Sequence, residues 1–288
     1  MLGSALTAAL RAQAHQVTVL TRGAAGPGEA RWSAREASPE ANQAIEQADA
    51  VVNLAGSSIA GGRWTARRKA EILSSRVDTT RRLASAIRAT GRPVTFLSSS
   101  AIGYYGCTDD TPLDEGSPAG TDFLAGVCRA WEDEARTAGD RARVILLRTG
   151  IVLSKQGGAL PPLALPFRLF SGGPAGSGQQ YMSWIHEADW VGMAVWALTA
   201  PVSGPLNATA PEPVTNRAFA RALGQALHRP SWLPAPAFAL RIVLGEMADA
   251  LILGGQRVLP RVALDGGFRF THTRVDDALR AIYAPGPR

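Results

Sequence analysis

The sequence predicts an α/β protein built on a doubly wound parallel sheet, with a smaller C-terminal substrate lobe. Four short runs are rich in β-branched and apolar residues, as buried parallel strands are, and helical stretches lie between most of them. This alternation is typical of a sheet covered by helices on both faces. Near Gly150 the alternation stops and Gly- and Pro-rich segments follow. The predicted strands are residues 17–21, 50–54, 94–98 and 144–147.

The first predicted element is a helix over "MLGSALTAAL", because Ala and Leu form helices well and small residues at its start allow close approach. The strand in "HQVTVLTRG" comes directly after it. Helix followed by strand is the second half of a βαβ unit. We therefore expect that a preceding strand and part of a phosphate-binding loop are missing before Met1, and we expect a misassigned start codon as the reason.

The later elements follow in the same order. Helices are predicted at 67–88 and 123–138, and "KQGGALPPLALP" and "FSGGPAGSGQQ" are predicted as long loops over a binding cleft. Helical runs at 217–227, 236–253 and 275–282 predict a small C-terminal lobe. The predicted domains are therefore residues 1–150, which would bind a nucleotide, and residues 151–288, the substrate lobe.

Composition narrows the classes of function. The 288 residues carry a net charge of +6, almost wholly from arginine, since Lys69 and Lys155 are the only lysines. The arginines are scattered, and the short cluster "RWTARRK" suits a solvated helix face, so no nucleic-acid partner is expected. Two cysteines, Cys107 and Cys128, form neither a disulfide framework nor a metal site. Without a signal peptide or a long apolar run, the protein is expected in the cytoplasm and away from membranes.

The first predicted strand ends in Thr21 and Arg22. In a doubly wound dinucleotide fold this strand end holds the adenosine ribose, where an arginine pairs with the 2′-phosphate of NADP and an acidic residue selects NAD. The alternative is that Arg22 is one more surface arginine. Together with the next two strand ends, it favours a cofactor site for NADP.

Those two strand ends carry small and hydroxyl-bearing residues. "VVNLAG" ends in Ala55 and Gly56, which let the backbone approach a flat ring, although a tight turn would need the same glycine. "FLSSSAIGYYG" places Ser98, Ser99 and Ser100 at the carboxyl end of a strand, facing the crevice where ligands bind. Capping of the next helix explains one serine but not three.

Several blocks in order also carry a family resemblance: "VVNLAG", "RWTARRKAEILSSRVDTT", "SSSAIGYYG", "DFLAGVCRAWE", "LRTGIVLSKQGGAL", "GSGQQYMSWIHEADW" and "NATAPEPVTN". Together they resemble the atypical extended short-chain dehydrogenases/reductases in the group named epimerase family protein. The segment at about 236–284 resembles that group's own C-terminal domain. The resemblance implies a Rossmann-like fold, NADP(H), and an oxidoreductase-like or epimerase-like activity on an unknown small carbonyl or hydroxyl substrate. Some members are labelled cell-division inhibitors, so an NADP(H)-sensing regulator without turnover is the alternative.

The resemblance also assigns individual residues. Gly3 matches the last glycine of the family's phosphate loop, Ser100 its catalytic serine, and Arg76 an active-site asparagine. Where the family keeps a catalytic Tyr and Lys, this chain has Phe123 and Val127, neither of which can transfer a proton. This departure indicates altered chemistry.

The proton must then come from another group. Tyr104, just beyond the serines, is the preferred candidate, although the tyrosines could simply pack in the core. Glu132 and His186 are further candidates, although Glu132 could instead pair with an arginine of its own helix and His186 could cap the helix that follows it. The predicted catalytic residues are Ser100, Tyr104 and Arg76, and no metal is expected. The predicted cofactor contacts are Gly3, Thr21, Arg22, Leu54, Ala55, Gly56, Arg76, Ser98 and Arg148. The substrate and the oligomeric state are left open.

Overall fold

The computed structural model describes residues 1–34, 36 and 38–284. Its strands are β1 (Val19–Thr21), β2 (Glu29–Arg31), β3 (Ala50–Asn53), β4 (Val94–Ala101), β5 (Pro112–Leu113), β6 (Ala142–Thr149), β7 (Ile151–Ser154), β8 (Gly157–Gly158), β9 (Tyr181–Met182), β10 (Trp184–His186), β11 (Gly204–Ala208), β12 (Val214–Thr215) and β13 (Arg257–Val258). Its helices are α1 (Leu2–Ala12), α2 (Pro39–Gln47), α3 (Ala66–Thr90), α4 (Phe123–Arg136), α5 (Leu160–Arg168), α6 (Glu187–Thr199), α7 (Asn216–Leu227), α8 (Ala237–Leu244), α9 (Glu246–Ala248), α10 (Arg261–Asp265) and α11 (Val275–Tyr283).

The central sheet is parallel, with strand order β11, β6, β4, β3. Side chains alternate along its strands, so Leu97, Ile145 and Leu147 face the helices α1 and α6, whereas Phe96 and Leu146 face α2, α3 and α4. Helices on both faces confirm the predicted doubly wound α/β fold. The carboxyl ends of β3, β4 and β6 share one edge, where the ligand crevice of such folds lies.

The first predicted strand belongs to a separate pair. β1 pairs with β2 in parallel, and within the described ranges neither strand hydrogen-bonds to β3, whose strand partner is β4. Before β1 the described chain forms α1, as the Ala- and Leu-rich opening predicts. Strands β1 and β2 thus form a two-stranded sheet of their own.

The predicted domain boundary at residue 150 does not separate the two parts of the structure. β11 pairs with β6 in the central sheet, and α6 packs on the same core as α1. The chain therefore returns to the central sheet after residue 150. Nothing in the local pattern of "GPLNATAP" predicts β11, because its pairing with β6 is long-range.

Two local predictions about the C-terminal lobe are wrong. The segment predicted as a loop contains α5. Its prolines in the first turn are tolerated because the N–H groups that they lack would have no helical partner there. Leu160, Ala164 and Phe167 form the buried face of this helix. The single helix predicted at 236–253 is broken at Gly245, where φ is +64°. The lobe core joins α5, α7 and α11 to β7 and β10. Within the described ranges, none of the helices has the length and hydropathy needed to cross a bilayer.

Candidate functional site

A buried ion pair between α4 and β6 lies at the centre of the candidate site. Arg148 donates from Nε to Glu132 Oε1 (2.8 Å) and from Nη2 to Oε2 (2.9 Å), and both side chains are almost fully buried. Such a bidentate pair fixes the geometry of both groups. Arg136 adds a contact to Glu132 Oε2 at 3.2 Å.

The predicted catalytic serine belongs to this network. Ser100, on β4, donates its hydroxyl hydrogen to Glu132 Oε1 at 2.7 Å and is 3% exposed. The structure therefore joins Ser100 to Glu132, the acidic residue that the sequence offers as a further proton donor. The alternative expectation for Glu132, a pair with an arginine of its own helix, is confirmed by Arg136.

Two tyrosines in the helical turn at Ile102–Tyr105 flank Arg148. The Arg148 guanidinium carbon lies 3.4 Å from the centroid of the Tyr104 ring, so the ring is held by stacking. Tyr104 is half-buried, and among the described residues its hydroxyl has no hydrogen-bond partner. A fixed ring with a free hydroxyl is a suitable position for a proton donor.

Tyr105 is instead a buried member of the network. Its oxygen accepts from Arg148 Nη1 (3.0 Å), and its hydroxyl donates to Asn207 Oδ1 (2.8 Å). Burial raises the pKa of Tyr105 to about 12, and the contacts with Arg148 and Asn207 oppose this only in part. Burial by itself lowers the pKa of Arg148, but Glu132 and Tyr105 raise it above its ordinary value overall.

The rise in the pKa of Tyr105 predicts a loss of stability in alkali. The Tyr105 phenol ionises near pH 10 in the unfolded chain and near pH 12 in the folded chain. The contribution of the neutral phenol to the free energy of unfolding is therefore complete below pH 10 and is lost as the pH rises to 12. Two pKa units correspond to about 3 kcal/mol. Urea denaturation at pH 9 to 12 measures the slope, and Tyr105→Phe is expected to flatten it. An unchanged slope in Tyr105→Phe would contradict the assignment.

The positions that replace the Tyr–Lys pair are apolar in structure as well as in sequence. Phe123 makes an edge contact with Trp64 at 5.3 Å between ring centroids, and Lys69 Nζ lies 5.0 Å from the centroid of Phe123. Val127 is buried. A lysine introduced at 127 would place a charge in the core, where an unpaired ammonium is strongly unfavourable.

The loop after β3 brings two predicted site residues together. Asn53 links β3 to α3 through Thr80 (2.8 Å) and accepts from the backbone N–H of Ala55 at 3.1 Å. Beyond it, a Cβ on Gly56 would lie only 3.2 Å from Arg76 Cζ. The glycine therefore allows the guanidinium of Arg76 to lie against the backbone, at the carboxyl end of β3.

The remaining predicted cofactor contacts fall into two places. At the start of α1, a Cβ on Gly3 would be 3.9 Å from Leu54 Cδ1, so the helix N-terminus adjoins the end of β3. At the end of β1, the Thr21 hydroxyl accepts from the N–H of Gly23 at 3.3 Å and shapes the turn that presents Arg22 to solvent. No described residue forms a hydrogen bond or ion pair with Arg22.

Two of the predicted cofactor residues lie inside the protein. Ser98 is fully buried, and the donors of Arg148 are used by Glu132, Tyr105 and the carbonyl of Glu115. The geometry gives both an internal role, and a direct contact with a cofactor stays a prediction.

His186 has the structural role that the sequence left open. Its Nδ1 accepts from the N–H of Ala188 at 3.0 Å and caps α6. Its ring stacks on His272, 3.8 Å away, and His272 is held by Asp189 at 3.0 Å. Burial and then the neighbouring His272 lower the pKa of His186. Asp189 also accepts from the N–H groups of Thr271 and His272, so this group ties the chain after α10 to α6.

Sequence reasoning missed Asn207 and Glu115. Asn207 donates its N–H to Glu115 Oε1 (3.0 Å) and its side-chain amide to the carbonyl of Leu259 at 3.0 Å. Burial raises the pKa of Glu115. Asn207, which lies among mostly small and apolar residues in "GPLNATA", was the available signal, since a buried amide needs partners.

Comparison with known proteins gives a consistent set of relatives. Residues 1–126 match the profile of the NAD dependent epimerase/dehydratase family, and residues 235–282 match a domain of unknown function, DUF1731. "Epimerase family protein SDR39U1 homolog, chloroplastic" of Arabidopsis thaliana is 44% identical over 292 residues, covering 98% of this chain and 83% of the relative.

Two solved structures are similar over almost the whole chain. Human epimerase family protein SDR39U1 (isoform 2), crystallised with NADPH, has a TM-score of 0.89 and 36% identity, covering 98% of this chain and 96% of that one. The nucleoside-diphosphate sugar epimerase from Corynebacterium glutamicum has a TM-score of 0.79 and 33% identity, covering 97% of this chain and 55% of that one.

Proposed function

Because this chain belongs to the epimerase family of extended short-chain dehydrogenases/reductases, we propose that it binds NADP(H) and acts as an oxidoreductase or epimerase-like enzyme on a small carbonyl or hydroxyl compound. NADP(H), when bound, supplies or accepts the hydride. The observation that carries the proposal is Arg22 at the end of β1, whose exposed guanidinium has no hydrogen-bond or ion-pair partner among the described residues. The human relative crystallised with NADPH supports it.

The residues present fit this cofactor. Gly3 brings the N-terminus of α1 to Leu54, and a helix N-terminus attracts phosphate groups. Thr21 shapes the turn in front of Arg22, whose planar fork suits the 2′-phosphate. Gly56 lets the guanidinium of Arg76 lie against the backbone at the end of β3, where a flat ring or a substrate would be bound.

The chain's own residues would handle the proton. Tyr104 is the proposed donor, because its ring is fixed on Arg148 and its hydroxyl has no partner among the described residues. Ser100 is a positioning residue, because its hydroxyl is already donated to Glu132. Glu132 holds Arg148, which in turn holds the Tyr104 ring.

Cofactor choice provides the first test. Arg22→Ala is expected to weaken NADPH binding about 10- to 100-fold and to leave NADH binding unchanged, because only the 2′-phosphate loses its charged partner. Fluorescence titration with both cofactors measures the effect. Arg221→Ala, an exposed arginine on α7, removes the same charge and is expected to change neither affinity. Equal affinity of the unaltered protein for NADPH and NADH would contradict the proposal.

A second candidate function is an NADP(H)-sensing regulator without turnover. Two observations favour it. Phe123 and buried Val127 are apolar at the positions where the family keeps a catalytic Tyr and Lys. The Ser100 hydroxyl is already donated to Glu132. A screen of ketones, aldehydes and keto acids for NADPH oxidation separates the two. Tight NADPH binding with no oxidation of any compound would favour the sensor.

The partner proposals follow from the same observations. A small molecule is the proposed partner, and neither nucleic acid nor a membrane is proposed. The cytoplasmic location expected from the sequence stays a prediction.

A further inference from the structure

Arg76 is a half-buried cation without an acidic partner in the described part of the chain. It donates from Nη1 to the carbonyl of Ile72 (3.0 Å), and no described Asp or Glu forms an ion pair with it. Burial lowers the pKa of Arg76, the neighbouring Cys128 thiol opposes this lowering, and Arg68 adds to it. Removing a guanidinium from water without a counter-charge is unfavourable, so such a group indicates a site for an anion.

The Trp131 ring packs against Arg76. The Arg76 guanidinium carbon is 5.2 Å from the centroid of this ring, and Trp131 is 6% exposed. This contact holds the guanidinium in place but leaves its charge without a counter-charge.

Arg76 lies at the carboxyl ends of the central strands, where the ligand crevice of this fold is expected. Gly56, which adjoins Arg76, follows β3, and Ser100 lies near the end of the neighbouring strand β4. Cys128, one turn before Glu132 on α4, is close enough to both Ser100 and Arg76 for each to affect its pKa. An anion held by Arg76 would therefore lie near Ser100, at the carboxyl end of β4.

We propose that Arg76 binds a carboxylate group of the substrate, which makes the substrate class a carboxylate-bearing carbonyl or hydroxyl compound. This inference rests on the proposed function, because only an enzyme has a substrate. The existence of the anion site itself does not depend on turnover. The planar guanidinium matches a planar carboxylate, and the half-buried site strengthens the interaction.

Binding of matched probes tests the site. Phenylglyoxylate and phenylglyoxylamide share their ring and ketone and differ in charge, and isothermal titration calorimetry measures both in the protein alone and with saturating NADP⁺, where no hydride can be transferred. We expect the acid to bind about 10- to 100-fold more tightly than the amide. Arg76→Gln is expected to abolish this preference, and Arg76→Lys to retain part of it. Trp131→Phe, which keeps an aromatic ring against Arg76, is expected to leave the preference intact.

Control variants and NADPH titration distinguish the possible outcomes. Arg67→Gln removes the same charge from an exposed position on α3 and is expected to leave the preference intact. Equal binding of acid and amide, or an unchanged preference in Arg76→Gln, would overturn the proposal. Loss of NADPH binding in Arg76→Gln would also overturn it, because Arg76 would then hold the cofactor. Tighter binding of inorganic phosphate than of the acid would assign the site to phosphate instead.

Failure of the proposed function gives a different result. If the acid binds through Arg76 but no carbonyl compound is reduced by NADPH, the anion site is supported and the enzymatic proposal fails. If keto amides are reduced as fast as keto acids, the enzymatic proposal is supported and the anion site fails.

Discussion

Glu132→Gln is expected to lower the free energy of unfolding by about 3 to 5 kcal/mol, because it leaves the buried Arg148 guanidinium without its counter-charge. Against a typical total of about 5 to 15 kcal/mol, this loss is large enough to unfold much of the protein on warming. Arg148 is 1% exposed and gives two hydrogen bonds to this carboxylate. Chemical denaturation followed by circular dichroism measures the change.

A neighbouring residue on the same helix supplies the control for this prediction. Glu134 pairs with the exposed Arg81, and Glu134→Gln is expected to cost less than about 1 kcal/mol because water screens that pair. The double variant Glu132→Gln/Arg148→Met removes both charges and is expected to be more stable than Glu132→Gln alone. Equal stability of Glu132→Gln and Glu134→Gln would refute the central role of the buried pair.

Tyr104→Phe is expected to lower kcat about 10²- to 10⁴-fold, the usual contribution of a positioned acid or base. NADPH binding and stability should change little, because the phenyl ring keeps its contact with Arg148 at 3.4 Å from guanidinium carbon to centroid. The measurement is the steady-state rate with a compound that the carbonyl screen identifies as a substrate.

The matched control for Tyr104 is another tyrosine stacked on an arginine. The centroid of the Tyr181 ring lies 5.3 Å from the guanidinium carbon of Arg257. Tyr181→Phe is expected to leave kcat unchanged. If Tyr104→Phe retains full activity while folded Glu132→Gln has none, the proton donor is Glu132. Ser100→Ala is expected to act less strongly than Tyr104→Phe, since Ser100 positions Glu132 and does not supply the proton.

The sequence by itself determined the parallel sheet and the location of the crevice. Apolar, β-branched runs predict β3, β4 and β6 because a strand buried on both faces needs such residues along its length. The carboxyl ends of parallel strands share one edge, so Gly56 and Ser100 were predicted at that edge before any contact was known. Arg22 was identifiable for the same local reason, because it directly follows a predicted strand.

Only the tertiary structure decided what these side chains contact. Ser100 donates to a carboxylate 32 residues further along the chain, and Tyr105 to an amide 102 residues away, distances over which no local pattern carries information. Arg148 was predicted as a cofactor contact, and the structure pairs it with Glu132. The sequence could not show this pairing, because it depends on how α4 packs on β6. Strand β11 was equally hidden, because its hydrogen-bond partners lie in β6. Periodicity and strand ends are properties of short segments, whereas buried polar pairing is a property of the packed chain.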